Sequence, residues 1–316
     1  MIKILSIDGG GIRGLVPLTV LYVLTKRTGI PVYKMFDIIT GTSTGAIIAG
    51  MLAIGIPIEE IINFYMGTES KKIFSKGIFN KIGVYCPKYD NRNIEEVLQN
   101  ALKGKTFKDC LTNLVIPADD WANRQGRIFS SFEARTQDIE LWQAIRSSSA
   151  AETYFKAYNY NNESAFFDGG LYGNNPTDIA IVEAVKCLNI KIDDLFIVSL
   201  GTGTLVEKMA PKEIEKFWWN DFAKHLIPEI MDRITSKTHD LLSKILKKDK
   251  YFRLQFDCPE EFEKMDNVDD KNLQGLKNLA DDYISSIWKN DINNIINSLK
   301  FIEKSDIITK YVTETK

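Results

Sequence analysis

The stretch IKILSIDGGGIRG at residues 2–14, answered by FDIITGTSTGAII at residues 36–48, decides how this chain folds. Ile2 to Ile7 reads as a strand, the glycine run that follows as a turn, and Leu15 to about Arg27 as a helix. The sequence then repeats itself in kind: a short strand from Phe36 to Thr40, the turn GTSTG, and an apolar helix from about Ala46 to Ala53. Strand, glycine turn and helix in alternation is the rhythm of an α/β protein whose mainly parallel sheet is buried between helices. Working outward, further strands are predicted at Asn113 to Ala118, Arg127 to Glu133, Ala165 to Phe167 and Leu195 to Leu200. Asn175-Pro176-Thr177-Asp178 reads as a helix start with Asn175 as N-cap and Pro176 in the first turn. Beyond Val206 the pattern turns mainly helical, with Pro228 opening one helix and Tyr251 to Phe256 a late strand. No Gly/Pro/Ser linker interrupts the chain, which points to one continuous domain with a helical C-terminal layer.

Bulk properties narrow the class. The 316 residues are 44% hydrophobic and 11% aromatic, enough for a sizeable core. A formal charge of -2 offers no basic field for nucleic acid, so none is expected as a partner. Cys86, Cys110, Cys187 and Cys258 lack C-x-x-C spacing and suggest free thiols in a reducing compartment. Asp8 breaks the opening apolar run before a signal-peptide core can form, and no run of about 18 apolar residues follows elsewhere. A cytoplasmic protein is expected, although export without a cleavable signal is compatible with the same start.

Gly41-Thr42-Ser43-Thr44-Gly45 fits G-x-S-x-G between a strand and a helix. Flanking glycines let the backbone turn sharply and lift a serine hydroxyl clear of the strand end, so Ser43 is a candidate nucleophile. The bland alternative is a tight strand-to-helix turn. Asp8-Gly9-Gly10-Gly11-Ile12-Arg13-Gly14 opens the first helix, where backbone amides favour an anion. A P-loop would need Gly-Lys-Ser/Thr where this loop has Gly-Ile-Arg-Gly. A nucleotide-binding module is better served: Gly9, Gly11 and Gly14 satisfy G-x-G-x-x-G, and Asp37 lies at about the distance of a ribose-binding acid. The third reading is an oxyanion hole made by these amides with Arg13 nearby, and the serine elbow one βαβ unit later favours it.

The base comes next. His225 and His239 are the chain's two histidines, both in the charged C-terminal part, and His239 beside Lys237, Thr238 and Asp240 is read as a solvated side chain. Asp168 ends the apolar run Ala165-Phe166-Phe167 and precedes Gly169-Gly170, so it can project into a site while the backbone turns away. An Asp-Gly pair in isolation would be a turn. An exposed aspartate, with a pKa near 3.9, is a feeble base toward a hydroxyl. Burial of the carboxylate and a strong oxyanion hole would offset that weakness.

Together, Asp8–Gly14, Gly41–Gly45 and Asp168–Gly170 resemble the patatin-like phospholipase family. Ser147-Ser148-Ser149-Ala150-Ala151, Asn174-Asn175-Pro176, Ser199-Leu-Gly-Thr-Gly203 and Tyr251–Gln255 also look like family segments, so the likeness reaches to about Leu279. The resemblance implies a three-layer α/β/α fold over residues 1–290, with a helical tail at 291–316 packed on the same domain. It further implies a Ser43–Asp168 dyad, an oxyanion hole from Gly9, Gly10 and Gly11 with Arg13, and an elbow flanked by Gly41 and Gly45. The implied reaction is hydrolysis of phospholipid or related glycerolipid acyl esters through an acyl-enzyme, with no metal or cofactor. Some bacterial members of the family are toxins, host-directed effectors or defence enzymes, and a latent effector that requires an activating partner or small-molecule activator is the alternative expectation.

Access to lipid is read from residues 228–250. Ile230, Ile234, Leu241, Leu242, Ile245 and Leu246 suggest an apolar helix face, and Lys237, Lys244, Lys247, Lys248 and Lys250 supply positive charge. Such a helix either docks peripherally on an anionic membrane or packs on the core with its lysines in water. Trp218 and Trp219 carry the same ambiguity.

Overall fold

The first strand, β1 (Ile2–Ile7), is buried along its whole length, as a central parallel strand must be. Its residues alternate between two cores: Leu5 and Ile7 join the larger cluster, Ile2 and Ile4 the smaller one on the opposite face. The computed structural model describes residues 1–75, 87–205, 210–216 and 218–300. Around β1 stand β2 (Ile38–Gly41), β3 (Asn113–Asp120), β4 (Gln125–Ser130), β5 (Tyr158–Tyr160), β6 (Ser164–Phe167), β7 (Leu195–Leu200), β8 (Thr204–Leu205), β9 (Tyr251–Leu254) and β10 (Asp257–Cys258). The main sheet runs β5-β6-β3-β2-β1-β7-β9, with β4 also paired to β3. Strands β3, β2, β1, β7 and β9 are parallel, whereas β4, β5 and β6 form the antiparallel margin. The short β8 and β10 pair apart from it.

The helices of eight or more residues are α1 (Leu15–Thr28), α2 (Thr44–Ala53), α3 (Ile58–Met66), α4 (Asn91–Leu102), α5 (Leu141–Ser148), α6 (Thr177–Leu188), α7 (Trp219–Ile245), α8 (Asp270–Ser285) and α9 (Lys289–Lys300). On one face α1, α2 and α5 cover the sheet, and on the other α6 and the end of α7 do. This is the three-layer α/β/α arrangement. Helices α8 and α9 pack against α1 as an outer C-terminal layer, with Leu273, Leu276, Ile292, Ile295, Ile296 and Leu299 in the larger core. Helix α9 spans residue 290, and residues 301–316 lie outside those described.

Several local expectations shift. Helix α6 begins at Thr177, one residue later than an N-cap at Asn175 implies. Asn175 Oδ1 still caps it from outside, accepting from the Thr177 amide at 3.2 Å. Pro228 does not open a helix but lies inside α7. A proline there removes one i→i−4 hydrogen bond, at a cost of about 3 kcal/mol, so neighbouring packing must hold the helix together. Thr235, Thr238 and Leu242 supply it, all buried, with Asn174 Nδ2 donating to Thr235 Oγ1 at 2.9 Å. Leu241 and Ile245 face outward beside the exposed Lys244 and Lys248, so α7 is half docked and half presented to solvent. Trp218 is 82% exposed, whereas the side chains of Trp219 and His225 fall outside those described, as does Cys86. No described helix is long and apolar enough to cross a membrane.

Candidate active site

The loops after β1 and β2 leave the carboxyl ends of adjacent parallel strands, where open α/β sheets place their sites. The loops that carry Ser43 and Asp168 both leave strands that pair with β3. Thr40, one residue before the end of β2, pairs with Val115, and Ser43 lies in the turn that follows. Phe167, the last residue of β6, pairs antiparallel with Asp119, and Asp168 follows it. β3 thus holds together the two strands that end just before residues 125 positions apart, and Ser43 Oγ donates to Asp168 Oδ2 at 2.7 Å.

Ser43 occupies φ 54, ψ −118, a conformation that L-residues adopt only under constraint. The constraints are visible. Thr42 N donates to Ile7 O at 3.2 Å, Thr42 Oγ1 to Gly173 O at 2.6 Å, and Ser43 N to Ser148 Oγ at 3.0 Å. The flanking glycines are needed for close approach. A Cβ on Gly41 would lie 2.1 Å from Gly45 O, and one on Gly45 would lie 2.2 Å from Ile7 O. Ser148, the last residue of α5, serves both partners, because its carbonyl accepts from the Gly169 amide at 2.9 Å.

Asp168 is 2% exposed, and its other oxygen, Oδ1, accepts from the Gly170 amide at 2.8 Å. Burial pushes its carboxyl up to about 6; the hydrogen bonds from Ser43 and Gly170 and the charge of Arg146 oppose that rise. The weakness of an exposed aspartate is therefore partly offset, as burial was expected to do. Arg146 was not singled out in the sequence. It is fully buried, with Nε 3.3 Å from Glu95 Oε1 and its guanidinium over the rings of Phe155 and Tyr158.

The glycine loop is anchored from below. Arg253 of β9 reaches past Ser199 to grip Asp8 with two nitrogens, in a pair that is 5% and 1% exposed. Burial pushes the Asp8 carboxyl up, and Arg253 works against that. His239 is half-buried beside this pair, with Nδ1 3.2 Å from Tyr251 Oη, rather than solvated as its neighbours suggested. Burial and the Arg253 charge lower its proton affinity. Within the loop, Gly9 N donates to Asn174 O at 3.1 Å, so that amide is committed. Gly10 and Gly11 line the cavity beside Ser43, and Gly11 has φ +59. Arg13 does not line that cavity; its Nε faces Gly10 O at 3.4 Å and its other nitrogen faces Cys258 Sγ at 3.7 Å, bracing the loop from behind.

Ser43, Asp168, Gly10 and Gly11 share a cavity of about 240 Å³. Its walls include Ile47, Phe64, Ile73, Phe74, Ile94 and Phe155, and α7 closes one side with Ile227, Pro228 and Met231. No lysine or arginine is among its described lining residues. Asp37, the acid that a dinucleotide site would need, is 3% exposed and accepts from the Lys3 amide at 2.8 Å, at the amino ends of the strands. That is the end of the sheet remote from the glycine loop, so the nucleotide reading loses its ribose partner. Among the described residues, no group of three or more His, Cys, Asp or Glu side chains is arranged to hold a metal ion.

Comparison with known proteins identifies the family. The sequence model of the patatin-like phospholipase family matches residues 5–181, which hold all three loops. The chain belongs to the patatin-like phospholipase family. Patatin-like protein 3 of Arabidopsis thaliana is 30% identical over 87% of this chain and 79% of its own length. Calcium-independent phospholipase A2-gamma of Homo sapiens is 32% identical over 87% of this chain, which spans 38% of that longer protein. Among solved structures, VipD from Legionella pneumophila shares the fold, with a TM-score of 0.50 at 13% identity over 89% of this chain and 67% of that one. The likeness to this solved structure thus extends beyond the residues that the family model matches.

Proposed function

We propose that this patatin-like protein is a serine lipid acyl hydrolase that cleaves acyl esters of phospholipids or related glycerolipids. One observation carries the reading: a serine hydroxyl in a constrained turn donates at 2.7 Å to a buried carboxylate on the wall of an apolar cavity. Family membership and the likeness to a phospholipase A2 support lipid as the substrate class. The carboxylate of Asp168, ionised above about pH 6, takes the proton of Ser43 as Oγ attacks the ester carbonyl. The amides of Gly10 and Gly11 are best placed to receive the oxyanion, each such donor being worth about 3 kcal/mol in the transition state. The alcohol or lysolipid leaves, and water activated by Asp168 releases the fatty acid from Ser43.

An active-site phosphonate is expected to label Ser43 in the isolated protein, with the adduct located by peptide mass spectrometry. Asp168→Asn should lower ester turnover about 10²- to 10⁴-fold with the circular dichroism spectrum unchanged. Full activity in that variant would sink the dyad. Labelling that appears only after a membrane extract or second protein is added would mean that the enzyme is latent and needs an activator.

A further inference from the structure

Glu152 lines the same cavity as Ser43 and Asp168. Its Oε1 atom is shut off from solvent and meets no hydrogen-bond partner among the described residues. A buried carboxyl oxygen left unmatched is costly, and such groups persist where a ligand or a reaction uses them. The ionisable groups facing it are Asp168, after β6, and Asp119 of β3, both acidic. Arg146 of α5 acts on Asp168 instead. No lysine or arginine is among the described lining residues, and hydrogen bonds from the backbone of Glu152 and Asp168 favour the charged form of Glu152. Burial and, after it, the charge of Asp168 outweigh them and push the Glu152 carboxyl up to about 8, so of the two acids Glu152 holds its proton the more tightly. Two neighbouring acids whose surroundings push their proton affinities apart are the arrangement that divides base from acid.

We infer that Glu152 is the proton donor to the departing alcohol in this site. The inference rests on the hydrolase reading above and adds a role to it. In acylation the Ser43 O–H proton passes to Asp168 as the bond from Oγ to the carbonyl carbon forms. As the tetrahedral intermediate collapses, its bond to the alcohol oxygen breaks, and that oxygen takes the proton of Glu152. The proton on Asp168 then returns to Glu152, leaving the ester's alcohol, the acyl-serine and the starting charges.

The test is kcat/KM against pH for two esters of one medium-chain acid, with ethanol or p-nitrophenol as the leaving group. Glu152→Gln is expected to lose about 10²- to 10⁴-fold on the ethyl ester. It should leave the p-nitrophenyl ester nearly untouched, because p-nitrophenolate departs without a proton. The alkaline fall near pH 8 should vanish from the ethyl-ester profile, and Glu152→Asp should restore part of the rate. Equal losses on both esters, or no loss on the ethyl ester, would overturn the donor role. Ser43→Ala measured alongside separates the two levels of the argument. If it retains activity the hydrolase reading itself fails, whereas an inactive Ser43→Ala beside a Glu152→Gln that treats both esters alike removes Glu152 alone.

Discussion

At the scale of single residues the site depends on close approaches that tolerate no added atom. Gly45 permits the turn that raises Ser43, because its α-carbon passes against the carbonyl of Ile7. Gly45→Ala should destabilise the protein by about 1–3 kcal/mol through overpacking and misplace Oγ, with lowered Tm and ester turnover as the readouts. Undiminished turnover would show that the elbow is less constrained than its contacts indicate. The positions of Ser43, Asp168, Gly41 and Gly45 were legible because each sits in a local pattern that turns the backbone at a strand end. Glu152, Ser148 and Arg146 carried no comparable signal. Ser148 was quoted as part of a family-like segment, but its bridge between the Ser43 and Gly169 backbones exists only through space. Gly9 and Arg13 mark the opposite error: adjacency to the loop suggested a part in the cavity, whereas one amide is taken by Asn174 and the guanidinium braces the loop from outside.

At the scale of elements, β9 locks the loop after β1 into position through a buried ion pair. Removing one partner of such a pair leaves an uncompensated charge and typically costs about 3–5 kcal/mol. Arg253→Met should therefore lower stability in urea by that amount and reduce activity, since Asp8 begins the glycine loop. A variant as stable as the wild type would mean that Asp8 finds water or another donor. Strand existence was readable from apolar runs such as Leu195–Leu200, which β7 reproduces residue for residue. Strand ends drifted where pairing decides them: Arg127 to Glu133 became β4 at Gln125–Ser130, because its partner β3 fixes the hairpin register. Pro228 misled for a related reason. Propensity favours a helix start there, but packing of α7 on the fold outweighs one missing backbone bond.

For the whole molecule, the outermost helix is part of the main core. Ile292, Ile295 and Ile296 are 0–3% exposed in the cluster that also holds β1 and α1. Ile292→Ala should cost about 2–5 kcal/mol and lower the Tm of one cooperative transition. A separate low-temperature transition confined to the C-terminus would instead indicate an independent layer.

The sequence by itself determined the α/β rhythm, the serine elbow, the glycine loop and the carboxylate at a strand end, because turn chemistry and hydrophobic period act over a few neighbours. Only the tertiary structure decided that Ser43 donates to Asp168, that Asp37 lies at the far end of the sheet, and that Glu152 shares their cavity. Strand register and burial bring together groups more than a hundred residues apart. They also set how firmly each carboxyl holds its proton, a property that belongs to the folded surroundings and not to the residue.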